Sequence, residues 1–323
     1  MMDFSISDGG LFKYTGNGGD VVIPDGVNTI HRNAFRDCQT ITSVVIPDSV
    51  TKITNNAFKD CANLNSVKLS ENLEVIGFNA FEGCKSLSSI SIPSSVLRIG
   101  SYAFKDCSSL TSVTIPENVE MLGLDAFRGC TNLSSVNFPE GNLPTSNCPF
   151  RDTRWLKNRL KENDLCIVNS KLWAASEKLT SVSVPDSVKT ICNEAFTDCK
   201  NLVSVTLPET VKFIGDNAFR ELENLKEINF PSSLKEIGIS AFYKCDSLEE
   251  ILIPESIYHI AREAFMECKN LKSVTVMGSE IIIKEKVFRN CENLSVVNIP
   301  ETIEYISEDA FIGCHTMYFP HII

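Results

Sequence analysis

The sequence lacks any apolar run approaching the roughly 18 to 20 residues that a membrane-spanning helix needs. Its first residues, MMDFSISDGG, also lack the basic start and the apolar stretch of a secretory signal. We therefore expect no insertion into a membrane. As written, the chain is expected to be cytoplasmic if Met1 is the true start, or else to be the trimmed mature form of a longer protein.

Positive charge is scarce as well, because 30 Lys and Arg residues stand against 41 Asp and Glu residues and leave a net charge of -11. Nucleic acids and anionic membrane surfaces are bound mainly through concentrated Lys and Arg. The balance therefore argues against a nucleic acid as partner. A hydrophobic content of 43% with 22% charged residues is typical of an ordered protein with an ample core.

The residue types of metal and catalytic centres are equally scarce. Only 4 His residues occur, none at ligand spacing from a cysteine pair, and the sequence contains no Cys-x-x-Cys. The stretch GNGGD at residues 16–20 weakly resembles a phosphate-binding loop, but such loops open a helix and this one precedes a strand-like segment, so a turn is favoured. We predict a protein that is not an enzyme and that has no metal and no cofactor.

What the sequence does contain is a repeat of 23 residues. Ala-Phe-x-x-Cys recurs at this spacing, first as NAFRDC at residues 33–38 and then as NAFKDC at residues 56–61. Of the 19 Phe residues, 12 fall in one column, and Trp173 fills the one position of that column that lacks Phe. A period of this length indicates that each repeat is one structural unit stacked on the next.

Each repeat also predicts one short β-strand. Segments such as LTSVTIP at residues 110–116 alternate apolar residues with Ser or Thr, as strands with one buried face do. A proline then ends the strand because it has no amide hydrogen to donate. One strand cannot bury its apolar side alone, so the coils must stack as a solenoid. Thirteen coils at a spacing of about 4.8 Å predict a parallel sheet roughly 60 Å long.

A second step, Val-x-x-Ile, follows each proline, and a small residue often comes directly after it. The glycines in this column are Gly77, Gly100, Gly123, Gly215 and Gly238. Other repeats place Thr54, Cys192 or Ala261 there, which a strict left-handed backbone requirement would not tolerate. We interpret the column as a place with little room for a side chain.

Two arrays of repeats are predicted. Residues 3–27 align without gaps on residues 164–188, and the offset between the two segments is seven whole repeats. We therefore expect residues 1–150 to form a first array with its entry coil. Residues 164–323 should form a second array that opens with the same kind of coil and continues the first without a break in phase.

A short helix is predicted between the arrays, in residues 151–163. Trp155, Leu156 and Leu160 are spaced for one helix face, with Asp152 or Thr153 as the residue that caps its start. The segment also carries a group of basic residues, Arg154, Lys157, Arg159 and Lys161. A solvated helix face is favoured over a basic binding patch, because surface charges in proteins are usually just solvated.

Ten of the 13 cysteines lie in the repeat column, and a buried-thiol role is favoured for them. Equivalent Cα atoms on adjacent coils would lie about 4.8 Å apart, inside the range of a disulfide. However, equivalent side chains on stacked coils point the same way, and Thr153, Ser176 and Leu222 occupy the same column. Free cysteine behaves as a small buried hydrophobe, so disulfides or metal are the less favoured alternatives.

The outward side of the predicted strands is the candidate binding surface. In each Leu-x-x-Val-x-Ile segment the residues before and after the central Val point away from the core. They form a neutral surface of hydroxyl groups without large aromatic residues, with an acidic step at Glu227 and Glu250. The candidate binding residues are Ser66, Lys68, Ser89, Ser91, Ser112, Thr114, Ser135, Asn137, Ser204, Thr206, Glu227, Asn229, Glu250 and Leu252. Two interpretations stay open: these side chains bind an extended protein or carbohydrate ligand, or they merely keep the sheet soluble.

All the columns occur together in LSSISIPSSVLRIGSYAFKDC at residues 87–107, and this pattern closely resembles the BspA-like leucine-rich repeat family. The stretch WLKNRLKENDLCIVNSKLW at residues 155–173 is also similar to a junction coil found inside such proteins. The resemblance covers nearly the whole chain. It implies a strand-rich repeat solenoid of the α/β leucine-rich repeat class, built as a curved right-handed stack of coils with a parallel β-sheet on the concave face.

The resemblance also implies a function. Members of the family are typically surface or secreted proteins of host-associated microbes and are credited with adhesion. We therefore expect a monomeric, non-enzymatic module that binds a protein or glycan in adhesion or host interaction. The alternative is an intracellular scaffold or effector with the same surface, because this chain shows no signal or anchoring segment to support a surface location.

Overall fold

The computed structural model describes residues 3–139, 145 and 147–315. The chain divides into two compact units, Met1–Arg159 and Leu160–Ile323. Within each unit, stacked coils with parallel sheets form a β-solenoid, as the repeat predicts. No helix among these residues is long and apolar enough to cross a membrane.

The described residues of the first unit form twelve strands: β1 (Phe4–Ser7), β2 (Gly10–Tyr14), β3 (Gly19–Val22), β4 (Thr29–Ile30), β5 (Ile41–Val45), β6 (Lys52–Ile53), β7 (Ser66–Lys68), β8 (Val75–Ile76), β9 (Arg98–Ile99), β10 (Ser112–Thr114), β11 (Met121–Leu122) and β12 (Ser135–Asn137). The helix α1 spans Arg154–Glu162. Its start is capped by Thr153, whose hydroxyl accepts a hydrogen bond of 3.2 Å from the amide of Leu156. Trp155 and Leu156 are buried, as their spacing predicts.

As far as residue 315, the last one described, the second unit has fourteen strands: β13 (Leu165–Val168), β14 (Lys171–Ala175), β15 (Ser181–Ser183), β16 (Thr190–Ile191), β17 (Ser204–Thr206), β18 (Phe213–Ile214), β19 (Glu227–Ile228), β20 (Glu236–Ile237), β21 (Glu250–Ile253), β22 (His259–Ile260), β23 (Ser273–Val276), β24 (Ile282–Ile283), β25 (Val296–Asn298) and β26 (Tyr305–Ile306). Each unit opens with an antiparallel hairpin, β1–β2 or β13–β14, and the two hairpins have their register shifts at equivalent positions. The alignment of residues 3–27 on residues 164–188 reflects this shared hairpin.

Most coils contribute to two parallel sheets rather than one. The strands that precede the proline column form one of these sheets. We call it the hydroxyl sheet because its outward side chains form rows of Ser and Thr. The Val-x-x-Ile steps form two-residue strands that we call the isoleucine sheet. In the first unit its order is β1-β2-β4-β6-β8-β9-β11, and in the second it is β13-β14-β16-β18-β20-β22-β24-β26. The isoleucine sheet is therefore the continuous one within each unit.

The prediction of one uninterrupted sheet along the Ser and Thr strands is wrong. The hydroxyl sheet is divided into β3-β5-β7 and β10-β12 in the first unit, and into β15-β17-β19 and β21-β23-β25 in the second. Pro93 and Pro231, in the two coils where pairing stops, are buried, whereas Pro47, Pro116 and Pro208 are half-buried. In those two coils the residue before the proline, Ile92 or Phe230, is half-buried instead. The proline is thus buried in place of the residue before it. This indicates that the main chain is rotated in these two coils, so its amide and carbonyl groups no longer pair with the next strand of the hydroxyl sheet.

In most coils two residues adopt a left-handed conformation and turn the chain around the Ala-Phe-x-x-Cys segment. In one repeat these are Asn56 and Asp60, with φ of 59° and 60°. Asn, Asp and Gly tolerate this region best. This explains why one or other of them so often precedes Ala-Phe and Cys in the repeat.

The glycine column after Val-x-x-Ile is confined by space, as predicted. A Cβ atom added at Gly100 would lie 2.6 Å from the amide nitrogen of Phe78, and one at Gly123 would lie 2.2 Å from that of Ser101. Both clashes are with the main chain of the preceding coil. Neither glycine adopts a positive φ.

Besides buried Leu, Val, Ile and Ala side chains, the core of each unit contains two side-chain ladders, one of Phe and one of Cys. The rings of Phe81 and Phe104 stack with centroids 5.3 Å apart, and those of Phe104 and Phe127 follow at 5.1 Å. Such distances suit offset stacking of aromatic rings. The ten cysteines of the repeat column form the second ladder. None of these ten forms a disulfide, and all but Cys38 and Cys314 are buried. The buried-thiol interpretation is confirmed.

Candidate binding surface

The candidate residues lie on the outward side of the coils, as the alternation of side chains predicts. On β7 and β10 the central Val is buried and the residues on either side are exposed. All fourteen lie within the part of the chain that the structure describes, and thirteen are exposed, while Ser204 is half-buried. Each unit presents its own portion of this surface.

In the first unit the hydroxyl sheet brings polar side chains into register. Ser112 pairs with Ser135, and Thr114 pairs with Asn137, on the two strands β10 and β12. In the other part of the hydroxyl sheet, β3-β5-β7, Ser66 pairs with Ser43 and Lys68 pairs with Val45. Ser89 and Ser91 lie in a segment with no strand, between β7 and β10, yet both remain exposed. The sequence predicted a strand for that pair, and the buried Pro93 explains the difference.

A carboxylate that the sequence analysis did not select lies at the edge of this surface. Asp20 on β3 accepts hydrogen bonds from the hydroxyls of Ser43, at 2.6 Å, and Thr42, at 3.2 Å. The bond from Ser43, followed by that from Thr42, holds the pKa of Asp20 below its ordinary value. Asp20 lies in the same column as Ser43, one repeat earlier, so the repeat alone was enough to find it.

In the second unit the surface becomes acidic and partly apolar. Glu227 pairs with Ser204, while Glu250 and Leu252 pair with Ser273 and Thr275. The side chain of Leu252 is 60% exposed, which is unusual for a residue held on a strand. Among the residues that the structure describes, neither Glu227 nor Glu250 has an ion-pair partner. Their charges are therefore available to a ligand.

The adjacent Glu249 differs from these two carboxylates. It forms an ion pair of 2.6 Å with Lys272, and this hydrogen bond lowers the pKa of Glu249. The charge of Glu249 is thus already compensated by Lys272 on the next coil. Glu249 therefore links two coils and is not counted among the candidate binding residues.

Asn229 has a structural role as well. Its Oδ1 accepts a hydrogen bond of 2.7 Å from the amide of Leu207, and its Nδ2 donates one of 2.8 Å to the carbonyl oxygen of the same residue. At the equivalent place in other coils the acceptor is a main-chain carbonyl, as in the bond of 2.9 Å from the amide of Ile46 to Lys68. The side chain of Asn229 thus continues the ladder where β19 ends, and its amide is already occupied.

A groove that the sequence analysis missed lies at the far end of the hydroxyl sheet in the second unit. It has a volume of about 270 Å³ and is lined by Thr275, Val276, Met277, Ser279, Asn298, Ile299, Pro300 and Thr302. Met277 stands where other coils have proline, one repeat after Pro254, and it is 58% exposed. The absence of proline at this position of the repeat is the sequence feature that could have predicted the groove. The groove adjoins Thr275, the register partner of Leu252.

The described residues contain no group of three or more His, Cys, Asp or Glu side chains arranged to hold a metal ion. Polar contacts along the outward face are made by hydroxyl, amide and carboxylate groups. The arrangement can therefore form many small hydrogen bonds with an extended ligand, and ionic contacts near Glu227 and Glu250.

Coils of one repeat each, closed by a stacked Phe and a buried Cys and bearing a row of outward polar residues, define a leucine-rich repeat solenoid. The chain belongs to the family described as the BspA type leucine rich repeat region, whose model matches residues 8–126, 97–222 and 189–318. Proteins of this class generally bind other proteins and are generally non-enzymatic. A comparison with curated proteins gives no match.

Solved structures of bacterial leucine-rich repeat proteins are similar to the chain over nearly its whole length. One is a leucine rich cell surface protein from Faecalibacterium prausnitzii, with 27% identity, a TM-score of 0.51, and coverage of 94% of this chain and 93% of that one. Another is a leucine-rich repeat protein from Eubacterium ventriosum, with 21% identity, a TM-score of 0.53, and coverage of 97% and 92%. The second likeness concerns the fold alone.

Proposed function

We propose that the chain is a non-enzymatic binding module whose hydroxyl sheet recognises a protein partner at a cell surface, in adhesion or host interaction. The observation that carries the proposal is the outward face itself. It presents registered rows of exposed Ser and Thr together with Glu227 and Glu250, two carboxylates without ion-pair partners among the described residues.

A protein partner suits this face better than a purely polar ligand. The exposed side chain of Leu252 and the groove beside Met277 add apolar area next to the hydroxyl rows. Interfaces between proteins combine an apolar centre with a polar rim, and the second unit presents both within a few coils. We infer that the acidic step selects a partner with basic residues at the matching positions.

A surface location draws its support from the similarity to the Faecalibacterium prausnitzii cell surface protein. The second candidate function, an intracellular scaffold with the same binding face, is favoured by a different observation. None of the ten cysteines of the repeat column, all within the described residues, forms a disulfide. Proteins of reducing compartments keep their thiols in this state, whereas secreted proteins often form disulfides.

Charge reversal tests the binding face. The double variant Glu227→Lys and Glu250→Lys should lose at least about tenfold in affinity for captured partner proteins, because basic groups would then face basic groups. The matched control reverses Glu74 and Glu120, two exposed carboxylates on the isoleucine sheet side of the first unit. Equal capture by both variants and the unchanged protein, measured by quantitative mass spectrometry, would remove the hydroxyl sheet as the binding face.

Location is tested separately by protease shaving of intact source cells, followed by mass spectrometry of the released peptides. Release of peptides from this chain, with cytosolic proteins retained, is the result expected for a surface protein. Protection of the chain alongside the cytosolic proteins would favour the scaffold instead.

A further inference from the structure

The second unit carries a patch of opposite charge and different chemistry on its isoleucine sheet side. We call Lys189, Lys212, Lys235, Phe213 and Tyr258 the basic-aromatic patch. We propose that this patch is a second docking surface, which binds an acidic protein segment whose carboxylates alternate with apolar side chains. The proposal is independent of the function assigned to the hydroxyl sheet.

The three lysines form one column on successive coils. The amide of Lys212 donates a hydrogen bond of 2.9 Å to the carbonyl oxygen of Lys189, and the amide of Lys235 donates one of 2.8 Å to Lys212. Tyr258 continues the column through a bond of 3.1 Å to Lys235. Equivalent Cα atoms on successive coils of such a column are about 4.8 Å apart. Like charges at this spacing repel one another unless a ligand compensates them.

The lysine charges of the patch are not neutralised by ion pairs in the described part of the chain. The three ammonium groups have no ion-pair partner among the described residues, although the chain as a whole has a net charge of -11. Glu236, which adjoins the patch, accepts a hydrogen bond from the hydroxyl of Tyr258. The patch is thus a basic area on an acidic protein.

Two exposed aromatic residues adjoin the lysines: Phe213 follows Lys212 in the chain, and Tyr258 continues the lysine column. Phe213 pairs with Glu236 in the continuous sheet, and Glu236 pairs with His259. Phe213 is 39% exposed and Tyr258 is 46% exposed. Interfaces between proteins are enriched in aromatic residues, and truncation of such residues commonly removes much of the binding energy. The hydroxyl sheet has no comparable aromatic residues among its candidate positions.

The repeat does not require this composition. In the first unit the lysine column is replaced by Asn28, Thr51, Glu74, Leu97 and Glu120. The coils there stack equally well, with hydrogen bonds such as that of 2.8 Å from the amide of Glu74 to Thr51. The basic-aromatic patch is therefore particular to the second unit, and its residues serve something other than coil stacking.

The chemistry of the patch specifies its occupant. Carboxylates at every second residue of an extended segment recur about 6.6 Å apart on one face, and the long lysine side chains on successive coils, about 4.8 Å apart at their Cα atoms, can spread to meet them. Phe213 and Tyr258 offer apolar contacts beside these ionic ones. A partner with carboxylates alone would leave the aromatic side chains uncovered. We therefore favour a protein segment over an acidic polymer without apolar groups.

The test uses the full chain and a labelled synthetic peptide in which Glu alternates with Leu and Tyr, with binding followed by fluorescence anisotropy. We expect Lys212→Glu and Phe213→Ser each to weaken binding about tenfold, as for residues at the centre of an interface. The matched variants Lys52→Glu and Met121→Ser, exposed on the isoleucine sheet of the first unit, should change it less than about twofold. Raising the salt concentration should weaken binding by screening the charges.

Several results would overturn the proposal. The first is that the peptide does not bind. The second is that Lys52→Glu and Met121→Ser weaken peptide binding as much as Lys212→Glu and Phe213→Ser do. The third is that polyglutamate binds as tightly as the peptide, which would mean that the aromatic side chains contribute nothing to recognition. Concentration-dependent dimers that Phe213→Ser dissociates would make a second copy of the chain the occupant. The Glu227→Lys and Glu250→Lys variant should still bind the peptide, so failure of one proposed surface is distinguishable from failure of the other.

Discussion

The thiol of Cys107 donates a hydrogen bond of 3.2 Å to the main-chain carbonyl oxygen of Phe81 in the preceding coil. The same oxygen also accepts a bond of 3.2 Å from the amide of Cys84. A carbonyl oxygen has two lone pairs, so both bonds can form at once. The cysteine therefore fills a corner of its own coil and also ties that coil to its neighbour.

The same contact recurs through both units. The thiols of Cys61, Cys84, Cys130, Cys245, Cys268 and Cys291 each donate to the Phe carbonyl oxygen 26 residues earlier. A small apolar side chain such as Ala would fill the corner less well and could not donate. This explains the preference for Cys without assigning it any chemistry.

Buried thiols should make the fold sensitive to alkali. Burial raises the pKa of Cys61, Cys192 and Cys199 to about 12, from an ordinary value of 9.0. Thiols of the unfolded chain ionise near the ordinary value and those of the folded chain do not. Stability is therefore complete below pH 9 and falls as the pH rises from 9 towards 12, by about 1.4 kcal/mol per pH unit for each such thiol.

The measurement is a thiolate absorbance titration of the folded protein, with the same titration in urea as its control. The urea sample should ionise in one step near pH 9, and the folded protein only as it unfolds at higher pH. Ionisation of most thiols near pH 9 without loss of structure would contradict the buried-thiol account.

The Phe ladder should dominate local stability. Phe104 is fully buried between Phe81 and Phe127, and Phe104→Ala should lower the free energy of unfolding by about 3 to 5 kcal/mol because it leaves a cavity. The control is Phe78→Ala, since Phe78 is 48% exposed. Urea unfolding followed by circular dichroism measures both. A loss below about 1 kcal/mol for Phe104→Ala would be incompatible with a closed ladder.

Two asparagines in the same outward column should differ. Asn229→Ala removes both side-chain bonds to Leu207 and should destabilise the chain by about 1 to 3 kcal/mol. Asn137→Ala should change stability by less than about 0.5 kcal/mol, because its side chain is exposed and the ladder there uses its main chain. Thermal unfolding of the two variants checks this, and equal effects would refute the assigned role of Asn229.

The repeat predicted the fold because each column has one physical requirement that a single sequence displays many times. Phe recurs at the position of Phe104 and small residues recur at that of Gly100. The burial of Phe104 and the restricted space at Gly100 could therefore be inferred from the residue types in each column. The outward placement of Ser112 and Thr114 followed from the period of two in a strand.

Features that depend on exceptions to the repeat were harder to predict. The break in the hydroxyl sheet depends on the burial of Pro93 and Pro231, which look like the other prolines in the sequence. The side chain of Asn229 replaces a main-chain acceptor, and no pattern of residue types indicates that. Phe213 and Tyr258 were overlooked because the sequence analysis assigned no strand to the Val-x-x-Ile step, although this step forms the longer sheet in each unit.

The central claim is that the hydroxyl sheet is a binding face. The most direct measurement is a photo-crosslinking scan in which one reactive side chain is placed at Thr114 or Leu252, on the sheet, or at Asp106 or Asp198, exposed on the turns. We predict that partner proteins crosslink at Thr114 and Leu252, and that Glu227→Lys with Glu250→Lys abolishes the product at Leu252. Crosslinks of equal yield at the turn positions, or none on the sheet, would contradict the account.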